Sequence, residues 1–374
     1  MKLSIIIVSY NTKELLEDCL ESIVNSLTSK RGLKSATDKK NPNFGVANFN
    51  SRQNSRRLKS ANPGKKDKLS LNDLEVIIVD NNSTDGTREY LKKLQSSPPE
   101  LTTRLSGVYP PEAELVERNR RVAEGKKLKV KIILNDDNAG FAKANNQGIK
   151  KARGEYVLLL NSDTIITEKD FFEKSLEFLN KNKKVGILGP KLLWENGQVQ
   201  PSGGYFPTLI RLATWALMID DLPLINKFVK PYHPHQPGFY TKDRYYQKPH
   251  YQDWVTGACF FIKRTVIDKI GLLDEKIFMY TEEMEYCYRA KRAGFDIVYY
   301  PQTSLVHLGG KSGTSLLAAK SEFWGIKYFY QKHQPFWQRP IAGFLLKAAA
   351  FLRKIIFCQN KKKHQIYQQI LNDL

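Results

Sequence analysis

The segment from Glu155 to Thr164, EYVLLLNSDT, constrains the fold more than any other part of the chain. Tyr156 to Leu160 is an unbroken apolar run, which is typical of a strand covered on both faces and is too short for a helix. A carboxylate, Asp163, follows the end of this run. Ligands bind at the carboxyl edge of open α/β sheets, so Asp163 is a candidate for handling a metal ion or a phosphate. The alternative is that Asn161-Ser162-Asp163 is a turn that caps the next helix.

The rest of the chain alternates predicted strands and helices around this segment. We expect further strands at 3–8, 74–79, 130–134 and 185–188, and helices after Thr12, up to about Leu94, at 141–152 and at 168–180. Alternation of this kind favours an α/β fold with a single Rossmann-like sheet, mostly parallel, with right-handed crossovers and helices on its faces.

Three of these strands end in polar residues: Ser9-Tyr10-Asn11, Asp80-Asn81-Asn82 and Asn161-Ser162-Asp163. Neighbouring parallel strands would bring these ends to one edge, where they can converge on one ligand. A nicotinamide site is excluded because the turn after the first strand, SYNTKE, contains no glycine. The pattern suits a nucleotide held at Asp80, with its diphosphate carried to a divalent metal near Asp163.

The charge of the chain is concentrated in one segment. The net charge is +21, and the segment 28–72 contains twelve Lys or Arg against Asp38 and Asp67. Because this segment is poor in apolar residues, we expect a disordered basic insertion, and we expect a second insertion at 96–129. The alternative, a nucleic-acid-binding arm, lacks the aromatic residues that stack on bases, so a nucleic acid is an unlikely partner.

The cysteines and the N-terminus predict a cytoplasmic protein. The four cysteines stand singly, so neither a disulfide framework nor a zinc site is indicated. The first apolar run, Ile5 to Val8, is too short for the core of a signal peptide.

Four ordered segments carry a family resemblance: SIIIVSYN, EVIIVDNNSTDGT, NAGFAKANNQGI and YVLLLNSDT. Together they resemble family 2 glycosyltransferases of the GT-A fold, in the rhamnosyltransferase-like branch of bacterial surface-polysaccharide synthesis. The resemblance implies a glycosyltransferase domain over 1–310 and a C-terminal helical extension over 311–374. It implies an inverting enzyme of the EC 2.4 type. Such an enzyme moves a hexose, rhamnose-like or other, from a dTDP-, UDP- or GDP-sugar to a hydroxyl of a lipid-linked or saccharide acceptor.

The resemblance also assigns the donor side of the site. It implies that Asp80 contacts the base or ribose and that Asp163 is the last position of an Asp-x-Asp motif that binds Mg²⁺ or Mn²⁺. Here Asn161 replaces the first Asp of the motif, which removes one charge. His307 is implied as a second metal or diphosphate contact, against the alternative of a structural histidine. The residues expected to contact the nucleotide sugar are Ser9, Tyr10, Asn11, Asp80, Asn138, Gly140, Asn145, Asn161, Ser162 and Asp163.

The acceptor side is predicted in the second half of the chain. The resemblance places the catalytic base at Glu283, the second position of a Glu-Asp motif that here reads Glu282-Glu283. Acids in the first turn of a helix are otherwise complements of its dipole, and that interpretation is favoured for Glu282 and Glu285. Gly257, Ala258 and Glu282 are expected near the acceptor. Gly257 would allow close approach of the backbone, or else would mark a bulge in a strand.

Two segments, 207–230 and 341–357, are apolar for a chain with a mean hydropathy of −0.46. The second contains Lys347, Arg353 and Lys354 and is too short and too charged to span a bilayer. We expect it to lie on a membrane, with Lys347, Lys354 and Lys361 on one stripe, and the protein to be peripheral on the inner face of the cell membrane. The alternative is a helix packed on the protein itself. Two other functional classes stay open, a non-catalytic relative that binds sugar nucleotides and a basic nucleic-acid-binding protein.

Overall fold

A single twisted sheet organises the described part of the chain. The computed structural model describes residues 1–28, 69–96, 128–220, 222, 225, 228–233, 245–309 and 315–374. Both expected insertions, 28–72 and 96–129, fall almost wholly outside these residues. The strands found there are β1 Leu3–Ser9, β2 Leu74–Asp80, β3 Lys129–Leu134, β4 Tyr156–Asn161, β5 Thr164–Ile165, β6 Val185–Leu193, β7 Val199–Gln200, β8 His250–Gln252, β9 Cys259–Lys263 and β10 Asp296–His307.

The order of the strands is β3-β2-β1-β4-β9-β6-β10-β5, with β7 beside β6 and β8 beside β10. β1 pairs in parallel with both β2 and β4, β2 pairs in parallel with β3, and β6 pairs in parallel with β10. β9 is inserted antiparallel between β4 and β6. The prediction of a mixed, mostly parallel sheet is therefore confirmed. β6 extends five residues beyond the predicted strand 185–188.

Helices cover both faces of the sheet. They are α1 Lys13–Thr28, α2 Thr87–Ser96, α3 Phe141–Lys151, α4 Phe171–Lys181, α5 Leu209–Ala216, α6 Arg264–Ile270, α7 Glu282–Arg292, α8 Ser315–His333, α9 Gln338–Ile356 and α10 Lys361–Asp373. The helix predicted at 168–180 begins only at Phe171. Glu168 is held away from it because its carboxylate accepts hydrogen bonds from the backbone N–H and the hydroxyl of Ser304 in β10.

The alternation of side chains along the central strands builds two apolar layers. Ile5 and Leu158 pack on the face covered by α1 and α4, whereas Ile6 and Leu159 pack on the opposite face. This opposite face also receives Phe329 from α8 and residues of α9 and α10. Burial on both faces explains why the central strands read as unbroken apolar runs.

The C-terminal region corrects one expectation about the membrane segment. α9 ends at Ile356 and Lys361 opens α10, with the Asn360 side chain accepting a hydrogen bond from the Lys363 N–H. Lys361 therefore does not share a helix stripe with Lys347 and Lys354. Across the described ranges, no helix has the length and apolar character needed to cross a bilayer.

Candidate functional site

The predicted strand ends meet at one edge of the sheet. Ser9 lies beside Asp80 in the register of β1 and β2, and Val8 lies beside Asn161 in the register of β1 and β4. A cleft of about 180 Å³ opens there, bounded on the other side by the start of α7. The predicted site residues that line it are Tyr10, Asn138, Asn161, Ser162, Asp163, Gly257, Ala258, Glu282, Glu283 and His307.

Other predicted contacts lie behind this lining, where they build the loops. The hydroxyl of Ser9 is 2.9 Å from that of Thr12, which is 3.0 Å from that of Ser162, so a chain of hydroxyls ties the end of β1 to the end of β4. The Asn11 side chain accepts a hydrogen bond from the Thr84 N–H, which joins the loops after β1 and β2. Asn145 lies within α3, where its amide donates to the Phe141 carbonyl.

Asp80 is fully buried at the end of β2. One carboxylate oxygen accepts from the Ser83 N–H, and the other has no hydrogen-bond partner among the described residues. Arg88 Nε stands 3.9 Å from the carboxylate, and Arg88 also donates to the Asn135 carbonyl. Asp80 thus keeps an acceptor oxygen for an N–H or O–H donor. No sequence pattern indicates the role of Arg88, which cross-links the loops after β2 and β3.

Gly140 locks the loop after β3 against the segment that precedes α7. Its φ is +81°, and an added Cβ would lie 2.7 Å from the ring and from the carbonyl of Phe278. The Phe141 N–H donates to that same carbonyl at 2.6 Å. Asn81, which the sequence analysis named only as part of a strand end, donates from its amide to the Asn138 side chain and to the Gly140 carbonyl. The loop after β3 and the segment that leads into α7 are therefore held in a fixed position relative to each other.

Asp163 and His307 meet at the floor of the cleft. His307 Nε2 is 3.3 Å from Asp163 Oδ1, and this oxygen, buried like Asn161 Oδ1, has no hydrogen-bond partner among the described residues. On the other side of the ring, Gln200 Oε1 is 2.9 Å from His307 Nδ1. An Nδ1–H held by Gln200 turns the lone pair of Nε2 toward Asp163. Gln200 was not predicted, because it lies on the short strand β7 far from any motif.

This corner fits a divalent cation that a substrate helps to bind. The carboxylate oxygen Asp163 Oδ1 and the imidazole nitrogen His307 Nε2, 3.3 Å apart, are atoms of types that bind metal ions. The described residues contain no group of three or more His, Cys, Asp or Glu that could form a complete protein cage. Mg²⁺ is commonly held by one or two side chains together with phosphate oxygens and water, and Asp163 with His307 supplies that number.

Glu282 and Glu283 form a hydrogen-bonded carboxyl pair on the opposite wall. Burial, followed by the charge of Glu283, raises the pKa of Glu282 well above its ordinary range. Burial also raises the pKa of Glu283, although the hydrogen bonds from Glu282 and from the Gly257 N–H oppose that rise. Both effects favour a proton on Glu282 and a carboxylate at Glu283. A carboxylate that accepts two hydrogen bonds and keeps a free oxygen can act as a general base.

Gly257 leaves open space on the side of the cleft. A Cβ added there would have its nearest contact at 3.5 Å, on Phe141, which is an ordinary van der Waals distance. The expectation that this glycine lets the acceptor approach the backbone closely stays a prediction.

The backbone at the start of α7 is strained. Tyr280 and Thr281 have φ values of +62° and +71°, a region that β-branched residues rarely adopt. Thr281 is held there by α8, because a Cβ added to Gly325 would lie 1.9 Å from Thr281 Oγ1. The glycine in α8 thus lets that helix touch the residue that precedes Glu282.

Glu285 anchors α7 and has a role that the sequence analysis did not foresee. It is buried and contacts Arg289 in its own helix and both Lys332 and His333 in α8. Burial alone would raise the pKa of Glu285, but the His333 hydrogen bond and the charges of Arg289 and Lys332 outweigh it and lower the pKa. Glu285 therefore does more than complement the helix dipole, because its carboxylate links α7 to α8.

The structure is that of an α/β protein with an open cleft at the carboxyl edge of its sheet, with Asp163 and His307 on one side and the Glu282–Glu283 pair on the other. The family model "Glycosyltransferase like family 2" matches residues 68–322, about two thirds of the chain. This protein therefore belongs to glycosyltransferase family 2. The match begins at residue 68, near the end of the basic segment, yet β1, which precedes that segment, lies near the centre of the sheet.

Two curated proteins and one solved structure are similar to this chain. An N-acetylglucosaminyl-diphospho-decaprenol L-rhamnosyltransferase of Mycobacterium tuberculosis is 24% identical over 274 residues, covering 72% of this chain and 78% of the relative. A low-salt glycan biosynthesis hexosyltransferase, Agl10 of Haloferax volcanii, is 29% identical over 247 residues, 63% of this chain and 67% of the relative. The solved mannosyltransferase PcManGT of Pyrobaculum calidifontis, in complex with GDP-Man and Mn²⁺, is 13% identical. It covers 99% of this chain and 84% of that one, with a TM-score of 0.44.

The predicted family resemblance and enzyme class are confirmed. The protein is a glycosyltransferase that takes its sugar from a nucleotide sugar.

Proposed function

We propose that this enzyme transfers a hexose, with inversion, from a nucleoside-diphosphate sugar to a hydroxyl of a lipid-linked acceptor. The observation that carries the proposal is that the Glu282–Glu283 pair and the Asp163–His307 corner line one cleft. A base for an attacking hydroxyl and ligands for a departing diphosphate then face each other. A rhamnose-like sugar and a lipid-linked acceptor are supported by the name of the mycobacterial relative.

Glu283 is the base in this proposal. Its carboxylate takes the proton of the acceptor hydroxyl as the oxygen attacks the anomeric carbon. The Gly257 N–H and Glu282 orient that carboxylate. Glu282 is the protonated member of the pair and donates the hydrogen bond to Glu283, so Glu283 stays ionised and can accept a proton.

The donor is held at the strand ends. Asp80 keeps a buried oxygen for the base or ribose, and Tyr10 and Asn138 line the cleft above it. Asp163 and His307 would hold Mg²⁺ or Mn²⁺, and the chemistry this cation would supply is neutralisation of charge on the leaving diphosphate. Gln200 fixes the His307 ring in the orientation that this requires.

The enzyme works at a membrane surface in this proposal. Of the eighteen large apolar side chains exposed among the described residues, twelve lie in 210–228 or 336–356. α5 and α9 pack together, because the buried Arg353 donates to the carbonyls of Trp215 and Ala216 at the end of α5. α9 buries one face against the protein and leaves a second stripe, Ile341, Phe344, Phe351 and Ile355, exposed. The segment 341–357 therefore packs on the protein through one face, and its exposed stripe is the part that would lie on a membrane.

The charge of this region supports an anionic lipid surface. From 323 to 372 the chain has nine Lys or Arg and no Asp or Glu. An apolar face in a segment with an excess of basic residues suits the inner leaflet of a cell membrane.

Turnover of nucleotide sugars tests the proposal. The purified protein is incubated with dTDP-, UDP- and GDP-sugars, Mg²⁺ or Mn²⁺ and a lipid-linked acceptor, and transfer and hydrolysis are measured. We expect one nucleotide sugar to be consumed, with loss of activity in Glu283→Gln. Binding of a nucleotide sugar without any turnover would favour the non-catalytic relative, an alternative that Asn161 supports because it removes one metal-binding charge.

A further inference from the structure

A second cavity lies beside the catalytic cleft and has a different chemical character. Its volume is about 320 Å³, within the range of roughly 300–1,000 Å³ that is typical of small-molecule sites. We call it the side groove. Its walls are the segment 276–279, one face of α8 and the last turn of α10. The apolar part is formed by Phe278, Met279, Phe323, Trp324 and Ile370.

The side groove adjoins the catalytic cleft through shared structure. Met279 lines both cavities. Trp324 precedes Gly325, the residue whose missing side chain lets α8 touch Thr281, and Glu282 follows Thr281 directly. The aromatic wall of the groove and the carboxyl pair are therefore fixed to each other by one packed contact.

The rim of the side groove is basic. Lys276, Lys320 and Lys327 line it against a single acidic side chain, Asp373, which pairs with Lys320 at 2.8 Å, while Lys327 Nζ donates to the Leu374 carbonyl at 3.1 Å. Two large rings are left exposed at the groove, Phe278 at 43% and Trp324 at 44%. An apolar slot with a net positive rim is complementary to an amphiphile that has a hydrocarbon chain and an anionic head.

We propose that the side groove binds the isoprenoid chain and the phosphate groups of the acceptor lipid, so that the attached sugar reaches Glu283 past Met279. This proposal rests on the proposed function, since it names the part of the acceptor that is not the sugar. The apolar residues hold the first isoprene units, and Lys276 and Lys327 bind the phosphates. The groove is then a binding subsite for one lipid molecule and is separate from the α5–α9 face that rests on the bilayer.

Binding of farnesyl diphosphate to the full chain tests the proposal. The titration is done by calorimetry without detergent and with a chelator present, so that the diphosphate cannot be held through a metal at Asp163. Inorganic diphosphate and farnesol are titrated in parallel. Because both parts of the probe contact the groove, we expect farnesyl diphosphate to bind at least about tenfold more tightly than either fragment.

Variants assign the binding to this groove. Trp324→Glu and Lys276→Glu should each weaken farnesyl diphosphate binding about tenfold or more, because each sets a negative charge against the probe. Trp324→Phe should restore most of the affinity. Trp337→Glu is the matched control, since Trp337 is 53% exposed but lies outside the groove, and its affinity should stay within about twofold of the parent.

Three results would overturn the proposal. The first is equal affinity in Trp324→Glu, Lys276→Glu and Trp337→Glu. The second is that the Trp324→Glu variant binds farnesyl diphosphate with unchanged affinity but no longer binds phosphatidylglycerol vesicles, which would make the groove part of the bilayer-facing surface. The third is that Trp324→Glu dissociates a dimer, which would make the occupant a second copy of the chain.

The same experiments separate this proposal from the proposed function. Hydrolysis of a nucleotide sugar uses water as the acceptor and does not need the groove. If farnesyl diphosphate binds with the expected pattern but the protein turns over no nucleotide sugar, the proposed transferase activity is wrong. The side groove would still be a binding site for an isoprenoid phosphate. Turnover that depends on Glu283 without groove-dependent binding would refute only the groove.

Discussion

Glu283 differs from its neighbours in what surrounds its carboxylate. Glu282 and the Gly257 N–H donate to Glu283, whereas Glu285 is committed to Arg289, Lys332 and His333. Glu283→Gln should therefore fold and bind donor normally but lose turnover by roughly 10²–10⁴-fold, the usual contribution of a general base. Single-turnover rates with saturating nucleotide sugar measure this loss. Glu282→Gln should retain more activity, because glutamine still donates to Glu283. A larger loss in Glu282→Gln would move the base to that residue.

The pH dependence of kcat/KM follows from the same pair. Burial raises the pKa of Glu283 above its ordinary value of 4.5, and only the ionised form accepts a proton. As the pH falls through this raised pKa, activity should be lost earlier than for an ordinary glutamate. A profile recorded at saturating metal should show an acid limb that belongs to the coupled pair. A flat profile down to pH 4.5 would contradict this assignment.

Exchange of acid and amide at the Asp163–His307 corner should have opposite effects at Asp163 and at Asn161. Asp163→Asn should abolish metal-dependent binding of the nucleotide sugar, because asparagine keeps the shape and removes the charge. Asn161→Asp should preserve or tighten it, since Asn161 Oδ1 lies buried without a hydrogen-bond partner among the described residues. Titration of donor with Mg²⁺ and then with chelator measures both. Equal affinity in chelator would mean that the chain binds the diphosphate without a metal.

For single residues, the sequence predicts functional side chains that end a strand or start a helix. It does not predict the residues that hold those side chains in position. Asp163 and Glu283 stand in recognisable local patterns. Gln200 approaches His307 only because β7 folds back on β6, and Arg88 reaches Asp80 only because β2 and β3 are neighbours. No local pattern records such a contact, because it depends on how distant elements pack.

At the level of helices and strands, alanine substitutions at two helical glycines test the contact between α7 and α8. Gly325→Ala should lower stability by about 1–3 kcal/mol, because the added methyl group has no room beside Thr281. It should also lower turnover, since the strained start of α7 carries the carboxyl pair. Gly343→Ala in α9 is the matched control. A Cβ there meets nothing within 4 Å, so the helix propensity of alanine should add up to about 1 kcal/mol.

Thermal and urea unfolding, with turnover of each folded variant, decide between these outcomes. If both alanines stabilise the protein, the contact between Gly325 and Thr281 does not constrain α7. The sequence places α7 and its acidic first turn correctly, but it gives no sign that Gly325 and Glu285 join α7 to α8. Likewise the start of α4 at Phe171 depends on Ser304 in β10, over a hundred residues away.

For the whole molecule, the sequence predicts the sheet well because each central strand is a buried apolar run between helices. The strand at Cys259 to Ile262 is expected from the family resemblance, but its direction is not, and β9 runs antiparallel between two members of a mostly parallel sheet. A strand's direction follows from its connections, which the apolar pattern does not contain. On the outer surface the sequence shows both apolar segments, 207–230 and 341–357, but not that they pack together or that Arg353 faces inward to join them.

The largest-scale prediction is that the α5–α9 face holds the enzyme on anionic membranes. Phe344 and Phe351 are exposed on one stripe of α9, so Phe344→Glu with Phe351→Glu should release the protein from phosphatidylglycerol vesicles without unfolding it. Each basic residue near such a surface adds about 1 kcal/mol, so binding should also weaken with salt and in neutral vesicles. Ala349→Glu, on the buried side of the same helix, should instead destabilise the fold. Vesicle sedimentation with circular dichroism distinguishes the two. Retained sedimentation of the double phenylalanine variant would show that another part of the chain holds the membrane.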